Sequence, residues 1–230
     1  MWTTGLWVGF DTETTGVDVA ADRIVTAALV QRAPGVAETT ATWLIDPGVE
    51  IPPAAAAVHG ITTEHARAHG VAPAAALEEI AQALTAALAN GAWLVAFNAA
   101  FDLRILRHEL TRHGLAPLEE RLGGPLRRVL DPLVLDRAVD RWRKGKRTLG
   151  VLTQHYQVPV DENLHSADVD VRATLDVLAA LVHAHPQVAE LSDDELFAWQ
   201  AAAHRQWAES FNAWRARRQL PGPGADPQWP

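Results

Sequence analysis

The 230-residue chain has no cysteine, and only one methionine and one tyrosine. Without a thiol, disulfides, thiolate zinc sites, iron–sulfur clusters and cysteine nucleophiles are excluded. Any metal must be held by carboxylate, imidazole or carbonyl groups. A long apolar run is also missing. Residues 80–101 carry no charge, but Gln82, Thr85, Asn98 and the turn pair Asn90-Gly91 divide them into helix, turn and strand rather than a membrane span. No cationic leader with an apolar core stands at Met1–Phe10, so a cytoplasmic protein with no membrane partner is expected. A basic field is lacking too: the net charge is −8, which at first argues against a nucleic-acid partner. That charge is uneven, with −7 over residues 1–100, +5 over 101–150 and −6 over 151–230.

What is present is ordinary globular composition, 48% apolar and 21% charged, which rules out global disorder. The length suits one compact domain with an appendage, divided here as 1–185 and 186–230. Apolar runs at 6–10, 24–31 and 38–45, punctuated by Pro34-Gly35 and Asp46-Pro47-Gly48, predict an antiparallel three-strand meander. Leu77, Ile80, Leu84 and Leu88 have the spacing of an amphipathic helix over 74–89. Further strands are expected at 93–97 and 128–130, and helices at 101–113, 132–142, 148–156 and 166–181. A meander followed by alternating strands and helices indicates a mixed five-stranded α/β sheet flanked by helices. From residue 186 the character changes. Ser192 and Glu195 form a capping-box pattern opening a long helix to about Arg218, and a Pro/Gly-rich stretch then leads into a loose tail.

Three places carry chemistry. Asp11-Thr12-Glu13 follows the first strand, and side chains at i and i+2 of an extended chain share a face. Two carboxylates crowded at the end of a buried strand repel each other unless a divalent cation neutralises them. The adjoining Thr14-Thr15-Gly16 offers hydroxyls and backbone N–H groups suited to a phosphate or terminal sugar. Asn98-Ala-Ala-Phe101-Asp102 sits between a strand and a helix, with Asp102 in the first helical turn. His165-Ser-Ala-Asp168-Val-Asp170 opens another helix. His165 and Asp170 face one site only if His165 lies in the preceding loop, and Asp168 competes with Asp170 for the acidic role.

The order of FDTETTG, NAAFD and H-x4-D over roughly residues 5–185 resembles the three motifs of the DEDD exonucleases with histidine (DEDDh), the family of the proofreading epsilon subunit of bacterial DNA polymerase III. The resemblance implies a ribonuclease H-like sheet and a 3′→5′ exonuclease that releases nucleoside 5′-monophosphates. It makes Asp11, Glu13, Asp102 and Asp170 the ligands of two divalent metals and His165 the general base. The family spacing, together with an apolar stripe marked by Val169 and Ala173, favours Asp170 over Asp168. Phosphodiester hydrolysis needs charge stabilisation on attacking and leaving oxygens, which two hard cations supply, and oxygen ligands suit Mg²⁺ or Mn²⁺. Histidine, with an ordinary pKa near ~6.5, can accept a proton at neutral pH.

Val58-His59-Gly60-Ile61 resembles the family loop that packs on the terminal base, and Thr14, Thr15, Asn98 and Phe101 are expected to line the same pocket. Phe97 stands where many relatives have histidine. Asp131-Pro-Leu resembles a structural D-x-L segment. The run 137–147 has six basic residues in eleven, with Trp142 among them as core or stacking partner, and is expected to be either a solvated face or a track for a single strand. Phe197, Trp207, Phe211 and Trp214 form one stripe of the last helix, expected to pack back onto the sheet, with a partner surface as the alternative. The expected substrate is a single-stranded DNA 3′ end, with proofreading for a replicative polymerase, repair, an RNA 3′ end and a catalytically weak polymerase-docking module left open.

Overall fold

A computed structural model of the protein describes residues 2–159 and 166–230. Strands β1 (Trp7–Thr14), β2 (Ile24–Arg32) and β3 (Thr39–Leu44) form the meander. Helices α1 (Pro53–His59), α2 (Thr63–His69) and α3 (Pro73–Ala89) lead to β4 (Trp93–Val95). Then come α4 (Ala99–Arg112), α5 (Leu118–Leu122), β5 (Val129–Leu130), α6 (Pro132–Val139), α7 (Leu149–His155), α8 (Ala167–Ala184) and α9 (Asp193–Arg217). Proline at the first turn of α1, α3 and α6 is well placed, because its missing N–H would be unpaired there anyway. The predicted capping box is formed, with Ser192 and Glu195 satisfying each other's backbone N–H groups.

The sheet order is β3-β2-β1-β4-β5, antiparallel on the β2 side of β1 and parallel on the β4 side. The central strand β1 sets the whole arrangement. It pairs with β4 only over Trp7–Gly9 but with β2 as far as Thr14, so the Asp11–Thr14 segment runs beyond the end of β4. Its even residues Val8 and Phe10 face a core shared with α3 and α4. The opposite face, carrying Trp7 and Gly9, packs on α8 through Val171, Leu175 and Leu178.

The contact at Gly9 is very close. A Cβ there would sit 2.4 Å from Val171 Cγ1 and 3.2 Å from Leu175. Val171 is β-branched and cannot swing aside, so only glycine lets α8 approach β1 this closely.

Several expectations are corrected. The first strand continues to Thr14 instead of turning after Phe10, because β2 supplies a ladder partner for each residue up to a bulge at Glu13/Thr14. The strand expected over 93–97 stops at Val95, where Ala96 leads to Asn98 in a left-handed conformation. The helix expected to reach 142 ends at Val139, so most of the basic run is loop. Helices α1 and α5 were not foreseen. On α8, Val169 is only half-buried, and the buried stripe runs through Val171, Leu175 and Leu178.

The C-terminal residues are docked rather than loose. Trp229 is 7% exposed and packs on Phe197 at 5.6 Å between ring centres. Asp226 pairs with Arg104 at 2.8 Å, and Ala225 and Asn212 exchange two hydrogen bonds. Of the aromatic stripe of α9, only Phe197 packs onto the core. Leu196, Gln200, His204 and Ala208 are buried, while Trp207, Phe211 and Trp214 stack on one another along the flank.

Gly9→Ala is expected to lower stability by about 1–3 kcal/mol, the usual cost of overpacking, and to push α8 outward. Chemical denaturation reads the first, and proteolysis at residues flanking α8 reads the second.

Candidate active site

The two faces of β1 recruit acids from opposite sides of the sheet. Asp11 and Glu13 project on the Gly9 face, where α8 brings Asp170 to them. One carboxylate oxygen from each of Asp11, Glu13 and Asp170 lies within 4.8 Å of the others. Thr12 points to the other face and grips Asp102 from α4: its backbone N–H and its hydroxyl donate to Asp102 Oδ1 at 3.1 and 2.7 Å. Asp168 accepts from Ser166 and pairs with Arg172 at 2.7 Å, in the lining of the cavity that Glu13 and His59 share. Of the two acids, Asp170 is the one within reach of both Asp11 and Glu13.

These carboxyls are electrostatically unhappy. Burial, and then the charges of Asp102, Glu13 and Asp170, hold the Asp11 carboxyl well above the usual carboxylate range. Burial and Asp170 push Glu13 up to about 7, and burial pushes Asp102 up to about 7 against the hydrogen bonds from Thr12. An oxygen-only donor set with mutual repulsion fits a hard divalent cation, whose charge favours the ionised carboxylates and so opposes those shifts.

Behind this cluster stands Asp131, buried at the end of β5. Its carboxylate accepts from the amides of Asn98 and Ala99 at 3.0 and 2.9 Å, and from Leu133 and Val134, so it caps α4 and α6 together. The Trp229 indole N–H donates to the same carboxylate at 3.2 Å, and Asp131 N–H donates to Gln200 of α9. Asn98 adopts φ 64°, ψ 45°, a left-handed geometry that asparagine tolerates better than most residues. This lets the chain turn sharply from β4 into the helix that carries Asp102.

The other expected site residues separate. His59 lines a cavity of about 270 Å³ together with Glu13, Trp43 and Ile61. Its Nδ1 accepts from Ile61 N–H, and burial holds its pKa below the ordinary value against a hydrogen bond to the Thr14 backbone. Phe101 is half-buried, Asn98 is exposed, and the Thr14 hydroxyl donates to Gly16 C=O at 2.6 Å. Thr15 departs from its expected role. It is buried, with its hydroxyl donating to Asp22 and accepting from Arg23 N–H, so it closes the turn instead of facing the cavity. His165 lies outside the described residues. Thr12, Gln200 and Trp229 were missed, and only Thr12 carried a signal, as the middle residue of the D-x-E pair.

The family model for exonucleases matches residues 8–178. The chain belongs to the exonuclease family. The DEDD resemblance drawn from the motifs is borne out, as is the ribonuclease H-like sheet. The DNA polymerase III subunit epsilon-like protein of Rhodobacter capsulatus is 36% identical over 182 residues, covering 77% of this chain and 24% of that protein. The PolC-type DNA polymerase III of Lacticaseibacillus paracasei is 29% identical, covering 76% of this chain and 11% of that one. E. coli exonuclease I in complex with a dA16 oligonucleotide superposes with a TM-score of 0.69 at 22% identity, covering 87% of this chain and 44% of that chain. The exonuclease chain thus spans a quarter or less of these curated relatives and under half of that solved structure. Among the described residues, no helix is long and apolar enough to cross a membrane.

The raised carboxyl groups give a signed pH prediction. Carboxyls whose folded pKa exceeds the unfolded value stabilise the fold at low pH and lose that contribution as pH rises through about 7. In EDTA, Asp11→Asn is therefore expected to gain thermal stability over wild type as pH goes from 6 to 8. Adding Mn²⁺ is expected to raise the wild-type melting temperature more at pH 8 than at pH 6, and to leave Asp11→Asn nearly unmoved. Differential scanning calorimetry checks both.

Proposed function

We propose that this exonuclease is a divalent-metal-dependent 3′→5′ enzyme acting on single-stranded DNA ends, with residues 1–185 as the catalytic unit and 186–230 as an appendage. The observation that carries the reading is the convergence of Asp11, Glu13 and Asp170 on one face of β1, with Asp102 held beside Asp11 from the other. We assign Asp11, Glu13, Asp102 and Asp170 as ligands of two cations, Mg²⁺ or Mn²⁺. Bound there, the cations supply positive charge to the attacking and leaving oxygens of an in-line phosphodiester displacement.

The chain's own groups do the rest. Thr12 fixes Asp102, and the Gly9 contact fixes the height of α8 and with it Asp170. His165, immediately before the first described residue of the α8 entry, is assigned as the base that takes the proton of the attacking water, with an ordinary pKa near ~6.5 suited to neutral pH. His59, which lines a cavity with Glu13, is assigned to the terminal nucleotide, and Phe101 to stacking on its base. Thr14 and Asn98 border the same region, whereas Thr15 is left with a structural role. The E. coli structure with a dA16 oligonucleotide supports DNA as the substrate class, and the epsilon-like name of the Rhodobacter relative supports a proofreading setting beside a polymerase.

The test uses 5′- and 3′-labelled single-stranded DNA and matched RNA oligomers with Mg²⁺ or Mn²⁺. Expected are loss of nucleotides from the 3′ end of DNA, a fall of at least 10³-fold for Asp11→Ala, and a fall of about 10²–10⁴-fold for His165→Ala with metal binding retained, the usual range for a lost general base. Full activity of Asp11→Ala, or degradation from the 5′ end, refutes the reading.

A further inference from the structure

A cavity of about 1000 Å³ lies between α6, the basic loop after it and α9, and none of the four acids of the candidate site lines it. Its wall on the α9 side falls outside the family match of residues 8–178. The basic run divides sharply here. Arg143 and Arg147 both pair with the fully buried Asp136, and Arg143 also pairs with Asp140 at 3.0 Å. Arg147 donates further to the Asp136 and Asp140 carbonyls, and the Tyr156 hydroxyl donates to Asp136 at 2.8 Å. These two arginines are therefore internal ties that give the 140–148 loop a fixed shape.

The remaining cations are different. Arg137, Arg141, Lys144, Lys146 and Arg205 make no ion pair among the described residues. The Arg137 guanidinium carbon sits over the Trp207 ring, 3.7 Å from its centre, and that of Arg141 over Trp142 at 4.8 Å. Burial lowers Arg137 only to about 10, so it stays charged at neutral pH. Trp142 is not core: it is 82% exposed, at the rim of the same cavity. Glu209 is the one acid lining it. A chain of net charge −8 thus concentrates unneutralised cations and tryptophan faces on one pre-shaped surface.

We propose that this groove is a second binding surface, for single-stranded DNA upstream of the end being trimmed. Phosphates meet Arg141 and Arg205 in the groove and the exposed Lys146 at its edge, between the lining Gly145 and Arg147, and a base stacks on Trp142. A polynucleotide offers both kinds of partner in alternation. An acidic peptide supplies the charge but pairs it with a flat ring only where its sequence happens to hold an aromatic residue, whereas every nucleotide carries both. The inference rests on the exonuclease reading, and its test separates the two.

Fluorescence anisotropy in EDTA compares dT20 with dT4 on the full chain. Arg141→Glu combined with Lys146→Glu is expected to weaken dT20 at least tenfold and to reduce the log–log salt slope by about 1.4, at about 0.7 per cation on a single strand. Trp142→Ala is expected to weaken dT20 about fivefold or more, the lower end of base–aromatic stacking, with Trp142→Phe restoring most of it. All three positions are on an exposed loop, so folding is checked simply by circular dichroism. Wild-type affinity and slope in these variants overturns the groove, as does an equal loss on dT4, which would place the residues at the end-binding site. Release of nucleotide from dT4 by the wild type with Mn²⁺ judges the exonuclease reading alone. If no nucleotide is released while the variants still lose dT20, the groove stands and that reading falls.

Discussion

The crowding of carboxyls where water is scarce is the constraint around which this fold is arranged. Asp11, Glu13, Asp102 and Asp170 come from three elements, and burial first, then neighbouring negative charge, raises the pKa of Asp11, Glu13 and Asp102. A stable domain does not gather such a group without something to hold it in place. Here the holding is done by one strand with two faces. The odd residues of β1 present two acids to α8, and the even residue between them ties down a third on α4.

The support extends further than the catalytic domain. Asp131 joins the start of α4 to the start of α6 through four backbone amides, and it is itself held by Gln200 and Trp229 from the C-terminal appendage. A carboxylate buried with several N–H donors is stabilised in place, because the donors replace the water it has lost. The last residues of the chain therefore reach to within one hydrogen bond of the turn that positions Asp102. The appendage is part of the scaffold on one side, and on the other it walls the cationic groove, so a single helix serves both ends of the surface.

Much of this was legible in the sequence. Strong local patterns announced the five strands, the long helices and the capping box at Ser192, and three short motifs in order announced the family. Asp170 was favoured over Asp168 by motif spacing and helix phase; in the structure Asp168 pairs with Arg172 one turn along α8, while Asp170 comes within reach of Asp11 and Glu13. The basic run was ambiguous for a physical reason. Nothing local tells a tie such as Arg147, drawn inward by the buried Asp136, from an outward cation such as Lys146. Trp229 was read as tail because proline and glycine usually mark loose chain, whereas its indole fills a gap beside Phe197 and finds a buried acceptor. Short helices such as α1 also escaped, since seven residues carry too little periodicity to register.

The negative total charge, which seemed to oppose a nucleic-acid partner, takes a different meaning once its members are located. The acids at the end of β1 belong to a cluster suited to cations, and five cations that make no ion pair among the described residues, Arg137, Arg141, Lys144, Lys146 and Arg205, lie on α6, the loop after it and α9. Crystals grown with Mn²⁺ and measured for its anomalous scattering test the central claim most directly. Two peaks about 3.5–4 Å apart, both contacting Asp11 and flanked by Glu13, Asp102 and Asp170, are predicted. A protein that binds Mn²⁺ at other residues, or shows no peak at this cluster under saturating metal, would contradict it.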